Sequence, residues 1–258
     1  GMMESIVDFG GKRMPQNVKD MLLGMANGGS SLDIEETTIY KPEYTWNYEI
    51  GSHLNLFDDK LRADLAIFCM DTKDQQIAKF AKSGLGRTTV NAGKSRSYGA
   101  EANLYYKVNR TLGVHAAYGY TYATFTKYET NKKGENNNIE TISYKGKYVP
   151  FVPKHTLNTG FDLNFKLASS EYVDRITFNA DFVGAGRIYW TESNDVSQKF
   201  YGTINTKLSF IKGRAHLDLW AKNMLDKNYA TFYFESMGNG FMQKGAPAQF
   251  GVTVGCQF

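Results

Sequence analysis

The 258-residue sequence lacks the long apolar runs that a membrane-spanning helix needs. No stretch approaches the roughly 18 consecutive apolar residues required for such a helix, and the mean hydropathy is −0.43. Membrane proteins that cross with helices are therefore excluded. Membrane-crossing strands stay open, because only alternate residues of such a strand face lipid.

Residues for metal or nucleophilic chemistry are scarce and scattered. Only two cysteines occur, Cys69 and Cys256, and both fit apolar strand positions, so we interpret them as small hydrophobic side chains rather than a disulfide. The sequence has no CxxC pair, no two-histidine helix and no Walker-type glycine loop. Its four histidines stand singly in different segments: His53, His115, His155 and His216. We expect no enzymatic activity, no cofactor and no metal site.

A concentration of positive charge is also lacking. The formal net charge is +4, and the lysines and arginines are spread along the chain. A nucleic-acid-binding surface normally clusters such residues on one face. We therefore expect no nucleic-acid partner.

What the sequence does have is aromatic residues and glycine. Tyr and Phe number 17 each, with 25 Gly, a mixture that favours strands and turns. The final stretch, 248–258, shows the pattern most clearly, because apolar and polar or small residues alternate to its end. Such alternation predicts a strand with one apolar face. That face carries Ala248, Phe250, Val252, Val254, Cys256 and Phe258.

The same alternation recurs along the chain and predicts nine strands. They cover 44–57, 61–77, 98–106, 112–122, 154–167, 172–184, 201–211, 214–222 and 248–258, with a candidate tenth at 32–40. Short turns (58–60, 107–110, 168–171, 212–213) alternate with long loops (78–97, 127–153, 187–199, 223–244). Long strands with short turns at one end and long loops at the other are typical of an outer-membrane barrel. The predicted fold is all-β, an antiparallel up-and-down meander β-barrel of about nine to ten long strands with its apolar face outward.

The N-terminal segment differs from the rest. Residues 14–26 have apolar side chains at helical spacing after Pro15, which predicts a short amphipathic helix. The sequence is accordingly divided into an N-terminal loop and helix segment at 1–41 and a barrel at 42–258.

The inward, polar face of this barrel holds the candidate site residues. Glu49, His53 and Glu101 fall on that face and are predicted to form a polar network in the lumen. A barrel hydrolase is the weaker alternative, and it would need a Ser or Asp beside one of the histidines. A second alternative is a soluble ligand-binding barrel, whose apolar face would point inward.

Five motifs in a fixed order carry a family resemblance. They are Lys41-Pro42-Glu43 followed by WNYEIG at 46–51, YGAE at 98–101, YVPFVPKHT at 148–156, KNMLDKNY at 222–229 and GAPAQFGVTVGCQF at 245–258. Together they resemble the C-terminal barrel portion of TonB-dependent outer-membrane receptors, Bacteroidetes-like in kind, over about residues 40–258. The family usually carries an arginine where Ala248 or Gln249 stands, so the inner contacts of the last strand are expected to differ.

The resemblance implies energy-coupled import of a bulky nutrient, such as an iron chelate, cobalamin or glycan, across the outer membrane of a Gram-negative cell. It implies outer-membrane lipid, the barrel assembly machinery, and a plug domain and TonB in a full-length parent as partners. Phe250, Val252, Val254 and Phe258 fit the terminal signal that the assembly machinery recognises. The chain contains neither plug nor TonB box, so it is expected to be part of a receptor barrel that does not transport alone.

Overall fold

The computed structural model describes residues 41–80, 87–91, 93–133, 139–168, 170–236 and 239–256. The predicted helix at 14–26, the candidate strand at 32–40 and Phe258 lie outside these residues. Within the described ranges, no helix is long and apolar enough to cross a membrane.

The described residues fold into strands. In chain order these are β1 (Tyr44–Leu56), β2 (Leu61–Lys73), β3 (Gln76–Phe80), β4 (Arg87–Asn91), β5 (Lys94–Lys107), β6 (Leu112–Lys127), β7 (Glu129–Lys133), β8 (Ile139–Ser143), β9 (His155–Lys166), β10 (Arg175–Gly186), β11 (Ile188–Tyr189), β12 (Ser197–Gln198), β13 (Tyr201–Lys212), β14 (Ala215–Lys222), β15 (Ala230–Ser236), β16 (Asn239–Lys244) and β17 (Gln249–Cys256). Nine of them form one antiparallel sheet in the order β1-β2-β5-β6-β9-β10-β13-β14-β17. The predicted all-β meander is confirmed.

The long connections differ from the prediction, because each contains a hairpin. The pairs β3–β4, β7–β8, β11–β12 and β15–β16 form separate two-stranded sheets. They lie inside segments that the sequence predicts as loops, except that β3 begins at Gln76, within the predicted strand 61–77, because β2 already ends at Lys73. These strands are short, two to seven residues each. A short hairpin that buries no continuous face has no need of an alternating pattern, so its sequence resembles a loop.

The register keeps the two faces of the sheet in phase across all nine strands. One cross-strand row is apolar at every position except one, and runs Leu56, Leu61, Tyr106, Val114, Phe161, Ala180, Thr206, Ala221, Phe250. The adjacent row on the opposite face runs Asn55, Arg62, Tyr105, His115, Gly160, Asp181, Asn205. A slip of one residue in any strand would exchange the faces, so this agreement fixes the register.

The apolar face is uncovered. Ile50, Ile67 and Val254 on this face are 68%, 59% and 77% exposed. Two buried apolar clusters lie elsewhere, one between the end of β6 and the connection that follows it, around Phe125, and one in the later long connections, around Trp190. The small cores of the described chain therefore sit at the long-loop end, and the sheet contributes a bare apolar surface.

The first short turn uses left-handed backbone where β1 reverses into β2, at Phe57 (φ of 58°) as well as at the two aspartates that follow it. Asp58 and Asp59 have φ of 54° and 60°, and the Lys60 amide donates to the Phe57 carbonyl at 3.2 Å. Positive φ at both central residues gives the mirror-image turn whose twist matches that of the flanking strands. Asp tolerates this conformation better than most residues, which explains a two-aspartate turn without glycine.

Candidate functional surface

The polar face carries three histidine–carboxylate pairs near the short-turn end. His53 Nδ1 lies 2.7 Å from Asp64 Oδ1 and His115 Nε2 lies 2.9 Å from Asp181 Oδ1. A third, longer contact of 4.0 Å joins His216 Nε2 to Asp218 Oδ2. In the two shorter pairs the imidazole nitrogen that faces the carboxylate can donate a hydrogen bond to it when that nitrogen carries a proton.

The pair His115–Asp181 reaches across an intervening strand. His115 on β6, Gly160 on β9 and Asp181 on β10 occupy consecutive positions of one row. A Cβ at position 160 would lie 2.9 Å from Asp181 Oδ1 and 3.0 Å from His115 Cε1. The glycine therefore leaves the space through which the two side chains meet, and the pair links β6 to β10 directly.

Replacing Gly160 with alanine is expected to destabilise the protein by about 1–3 kcal/mol, because the added methyl group meets this pair and the Ala180 carbonyl. Gly51→Ala is the matched control on the same face, since its Cβ approaches only the Leu65 carbonyl at 3.1 Å and Ala66. Urea unfolding in lipid vesicles measures both. Equal midpoints for the two variants would contradict the role given to Gly160.

The predicted residues Glu49, His53 and Glu101 all lie on the polar face. The His53 imidazole bonds Asp64, and Glu49 Oε2 accepts a long 3.5 Å bond from Asn47. Among the described contacts none joins the three residues to one another, and the lumen network stays a prediction. Sequence reasoning missed Asp64, although it stands opposite His53 when the strands are folded about the 57–60 turn.

The histidines also bear on the hydrolase alternative. The described hydrogen bonds of His53 and His115 go to aspartates, and His155 Nδ1 lies 2.8 Å from the Tyr118 hydroxyl. The two aspartates meet the condition of a Ser or Asp beside a histidine, but none of these partners is a serine that could act as a nucleophile. Within the described ranges, no cluster of three or more His, Cys, Asp or Glu side chains could hold a metal ion.

The motif at 148–156 forms a seam at the long-loop end. Its amides donate to β6 on one side and to segment 187–189 on the other: Val149 to Ala123 at 3.0 Å, Phe151 to Tyr189 at 2.8 Å and Lys154 to Arg187 at 3.0 Å. Pro150 and Pro153 occupy positions between these donors. Proline has no N–H, so the two prolines stiffen the seam without removing a bond from it.

The motif at 222–229 is a second junction, built on one buried amide. Asn223 is 5% exposed, and its side chain donates to the Lys227 and Ala246 carbonyls at 3.0 and 2.9 Å. Its Oδ1 accepts from the Lys227 amide at 2.9 Å, and Asp226 Oδ1 accepts from the Ala248 amide at 2.9 Å. The motif thus fixes the start of the last strand against the end of β14.

The motif at 41–43 is a third junction of the same kind. The Lys41 amide donates to Asn91 Oδ1 at 2.8 Å, and Asn91 Nδ2 donates back to the Lys41 carbonyl at 3.0 Å. Glu43 Oε2 accepts from the Gln76 amide at 2.8 Å. These bonds join the beginning of β1 to the β3–β4 hairpin.

Aromatic rings mark the long-loop end of the apolar face. Tyr98 stacks on Tyr122 at 5.1 Å between centroids, Tyr122 meets Tyr148 at 5.2 Å, and Tyr148 stacks on Tyr189 at 5.0 Å. The Lys154 ammonium lies 4.7 Å from the Tyr148 ring centroid and donates to its hydroxyl at 2.9 Å. Aromatic rings beside a cationic side chain are typical of a membrane–water interface.

A second aromatic group, the hairpin aromatic group, connects three of the long connections. Phe151 packs on Trp190 and on Phe232, each at 5.5 Å, and the series continues to Phe234 at 5.9 Å and to Phe241 at 5.1 Å. Phe151 and Phe241 are 49% and 47% exposed. The group is a partly solvated apolar surface that a ligand or partner can contact.

Burial and hydrogen bonds shift the pKa values of three side chains in the long connections, Tyr128, Tyr144 and Asp195. Burial, and next the Glu192 carboxylate, raise the pKa of Tyr128, whose hydroxyl donates to Glu192 Oε1 at 3.4 Å. Burial also raises the pKa of Tyr144. A hydrogen bond from the Thr191 hydroxyl holds the pKa of Asp195 below its ordinary value. Both tyrosines therefore stay neutral and Asp195 stays charged at physiological pH.

The last strand presents the predicted terminal signal on the apolar face. Phe250, Val252 and Val254 are exposed there and pair across to Ala221, Leu219 and Leu217 of β14. Among the described strands, no ladder joins the other edge of β17 to β1. Recognition of these residues by the assembly machinery stays a prediction.

One protein family matches most of the chain. The family described as "TonB dependent receptor-like, beta-barrel" matches residues 13–224. The chain belongs to this family. A receptor-barrel wall explains why the sheet has one bare apolar face and why the motifs lie at strand ends rather than in a catalytic cluster.

Individual TonB-dependent receptors extend the match. The chain is 27% identical over 237 residues to the ferric-pyoverdine M114 receptor PbuA of Pseudomonas sp. strain M114, covering 89% of this chain and 26% of PbuA. The ferric yersiniabactin uptake receptor FyuA of Yersinia pestis has a TM-score of 0.65 at 20% identity, over 82% of this chain and 29% of FyuA. For the ferric citrate transporter FecA the TM-score is 0.60 at 19% identity, over 83% and 31%. The comparisons do not support a Bacteroidetes-like origin.

These solved structures establish the fold. The chain spans between about a quarter and a third of the length of the relatives it matches.

Proposed function

We propose that this chain forms part of the wall of a TonB-dependent outer-membrane receptor that takes up a ferric chelate. The observation that carries the proposal is the in-phase alternation of the register, which gives one apolar face across all nine strands and one polar face behind it. A wall between lipid and an aqueous lumen requires these two faces.

A membrane location accounts for the exposure of the apolar face. A nine-stranded face with Ile50, Ile67 and Val254 more than half exposed would be a severe aggregation hazard in water. In a bilayer the same side chains contact the acyl chains of the lipids instead of water. The soluble-barrel alternative would instead require this face to be closed into a core, and it predicts a protein that stays dispersed without detergent.

The two edges of the sheet set a condition on transport. Each unpaired backbone group in lipid costs several kcal/mol, and no described ladder joins β1 to β17. Uptake is therefore proposed for an assembly in which both edges are paired. The proposed partners of that assembly are a plug domain, TonB, outer-membrane lipid and the barrel assembly machinery, the last acting on the terminal strand.

A ferric chelate is favoured over cobalamin or a glycan by the names of the relatives. PbuA, FyuA and FecA are named for ferric pyoverdine, ferric yersiniabactin and ferric citrate. The hairpin aromatic group supplies a suitable contact surface, because exposed rings pack on the planar or apolar parts of a chelator. We place the first contact of the ligand there.

Uptake of radiolabelled iron tests the proposal. Cells that lack their own receptors and carry this chain with its native flanking sequence are expected to import at least one of those three ferric chelates in a TonB-dependent manner. The double variant Phe151→Ala/Phe232→Ala is expected to bind the chelate about tenfold more weakly, since each ring contact contributes about 0.5–1.5 kcal/mol.

Tyr172→Ala serves as the control. Tyr172 is 82% exposed and lies in the short turn between β9 and β10. The control should bind like the parent protein. TonB-independent uptake, or import of cobalamin or a glycan with no ferric chelate, would overturn the assignment.

A further inference from the structure

Three lysines occupy one row at the long-loop end of the apolar face. Lys73 on β2 pairs with Lys94 on β5, and Lys94 pairs with Lys127 on β6 after a one-residue register shift at Thr126. All three side chains are exposed. Directly opposed residues on neighbouring strands have Cβ atoms about 5 Å apart, so the three lysines form a compact cationic row, the lysine row.

The lysine row has no carboxylate to neutralise it among the described ion pairs. The nearest acid along β2 on this face, Asp71, is bonded by Arg96 at 2.7 and 3.1 Å, and its attraction to Lys73 is weaker than its attraction to Arg96. Like charges placed directly opposite each other in a sheet are destabilising. The arrangement is stabilised when an external anion bridges the ammonium groups.

Next to the lysine row, an aromatic row and then an apolar groove follow along the strands, in the order in which a lipid has its charged headgroup and its acyl chains. Four residues further along β2 lies an aromatic row, in which Cys69 stands between Tyr48 on β1 and Tyr98 on β5, and Tyr98 pairs with Tyr122 on β6. Beyond it, about 20 Å from Lys73 at the usual rise per residue, lies an apolar groove of ≈ 460 Å³. Its apolar lining residues belong to β1, β2, β5 and β6 and include Ile50, Leu65, Ile67, Ala100, Ala102 and Tyr118.

We propose that these features form a binding site for a phosphorylated glycolipid of the outer leaflet. The lysine row contacts the lipid phosphates, the tyrosines lie at the level of the sugar headgroup, and an acyl chain occupies the groove. Lysine suits this role because its ammonium is a compact charge that binds phosphate without a fixed geometry. The site rests on the outer-membrane location proposed above and is separate from the hairpin aromatic group.

Native mass spectrometry of the protein, purified from outer membranes with its native flanking sequence in a mild detergent, tests the site. The probes are bisphosphorylated lipid A, the same lipid without phosphates, and inorganic phosphate. Lys73→Gln/Lys94→Gln/Lys127→Gln is expected to weaken binding of the bisphosphorylated lipid roughly 100-fold, since each lysine at an anionic lipid surface contributes about a factor of five. The dephosphorylated lipid should bind the parent protein with a comparable loss.

Two matched variants keep the test specific. Lys60→Gln/Lys107→Gln/Lys166→Gln removes the same charge at the short-turn end and should leave lipid binding unchanged. Lys73→Arg/Lys94→Arg/Lys127→Arg keeps the charge and should retain it. Equal binding by the lysine-row variant, or full competition by millimolar inorganic phosphate, would overturn the lipid site. Absence of the protein from the outer-membrane fraction would instead count against the location on which it rests.

Discussion

Replacing Asn223 with alanine is expected to lower the free energy of unfolding by about 3–5 kcal/mol. The variant loses three hydrogen bonds of a buried amide, at 3.0, 2.9 and 2.9 Å, and each net bond contributes about 1 kcal/mol, with a further cost for the backbone groups left unpaired. Asn223 also has φ of 46°, a conformation that asparagine adopts more readily than alanine.

Two further variants separate the causes of this loss. Asn223→Gly removes the same bonds but relieves the backbone, and it should recover roughly 1 kcal/mol relative to alanine. Asn47→Ala removes an exposed amide with one long contact of 3.5 Å and should change stability by less than about 0.5 kcal/mol. Urea unfolding from lipid vesicles, followed by tryptophan fluorescence, measures all three. An Asn223→Ala midpoint equal to that of Asn47→Ala would contradict the junction described for the 222–229 motif.

A charge placed on the apolar face should cost far more than the same charge one residue away. Ile67→Lys puts an ammonium in the middle of the exposed apolar face of β2 and is expected to destabilise the protein by about 2–4 kcal/mol in a bilayer. Ala66→Lys points to the polar face, where its cross-strand neighbour is Glu101, and should cost less than about 1 kcal/mol.

The same unfolding assay in lipid vesicles compares these two lysine variants. Their difference depends on which face each residue occupies, because the two positions share a strand, a depth and a substitution. Costs that are equal, or larger for Ala66→Lys, would mean that the faces are assigned the wrong way round.

The sheet was predictable because its signal repeats in every strand. A period-two pattern over eight or more residues specifies a strand and its faces, and the register only has to bring the patterns into phase. The hairpins in the long connections carry no such pattern. Strand β7, for instance, reads ETNKK, which periodicity cannot distinguish from a loop.

The polar contacts of the site were less predictable, since they depend on neighbours that are distant in sequence. His53 and Asp64 are related by a short turn, and folding the two strands about it brings them together. His115 and Asp181 are 66 residues apart and meet only because Gly160 on the strand between them has no side chain. Sequence periodicity places both on the polar face but cannot show that they touch.

The measurement that tests the central claim most directly is the accessibility of β2 to lipid and water. Single nitroxide labels are placed at positions 63 to 69, after Cys69 and Cys256 are replaced by alanine, in protein reconstituted with its native flanking sequence. Collisions with oxygen, which concentrates in lipid, should peak at 63, 65, 67 and 69, while collisions with a water-soluble nickel chelate should peak at 64, 66 and 68. Protection of the odd positions from both reagents would show that the apolar face lies in a protein core, and would contradict a lipid-facing receptor wall.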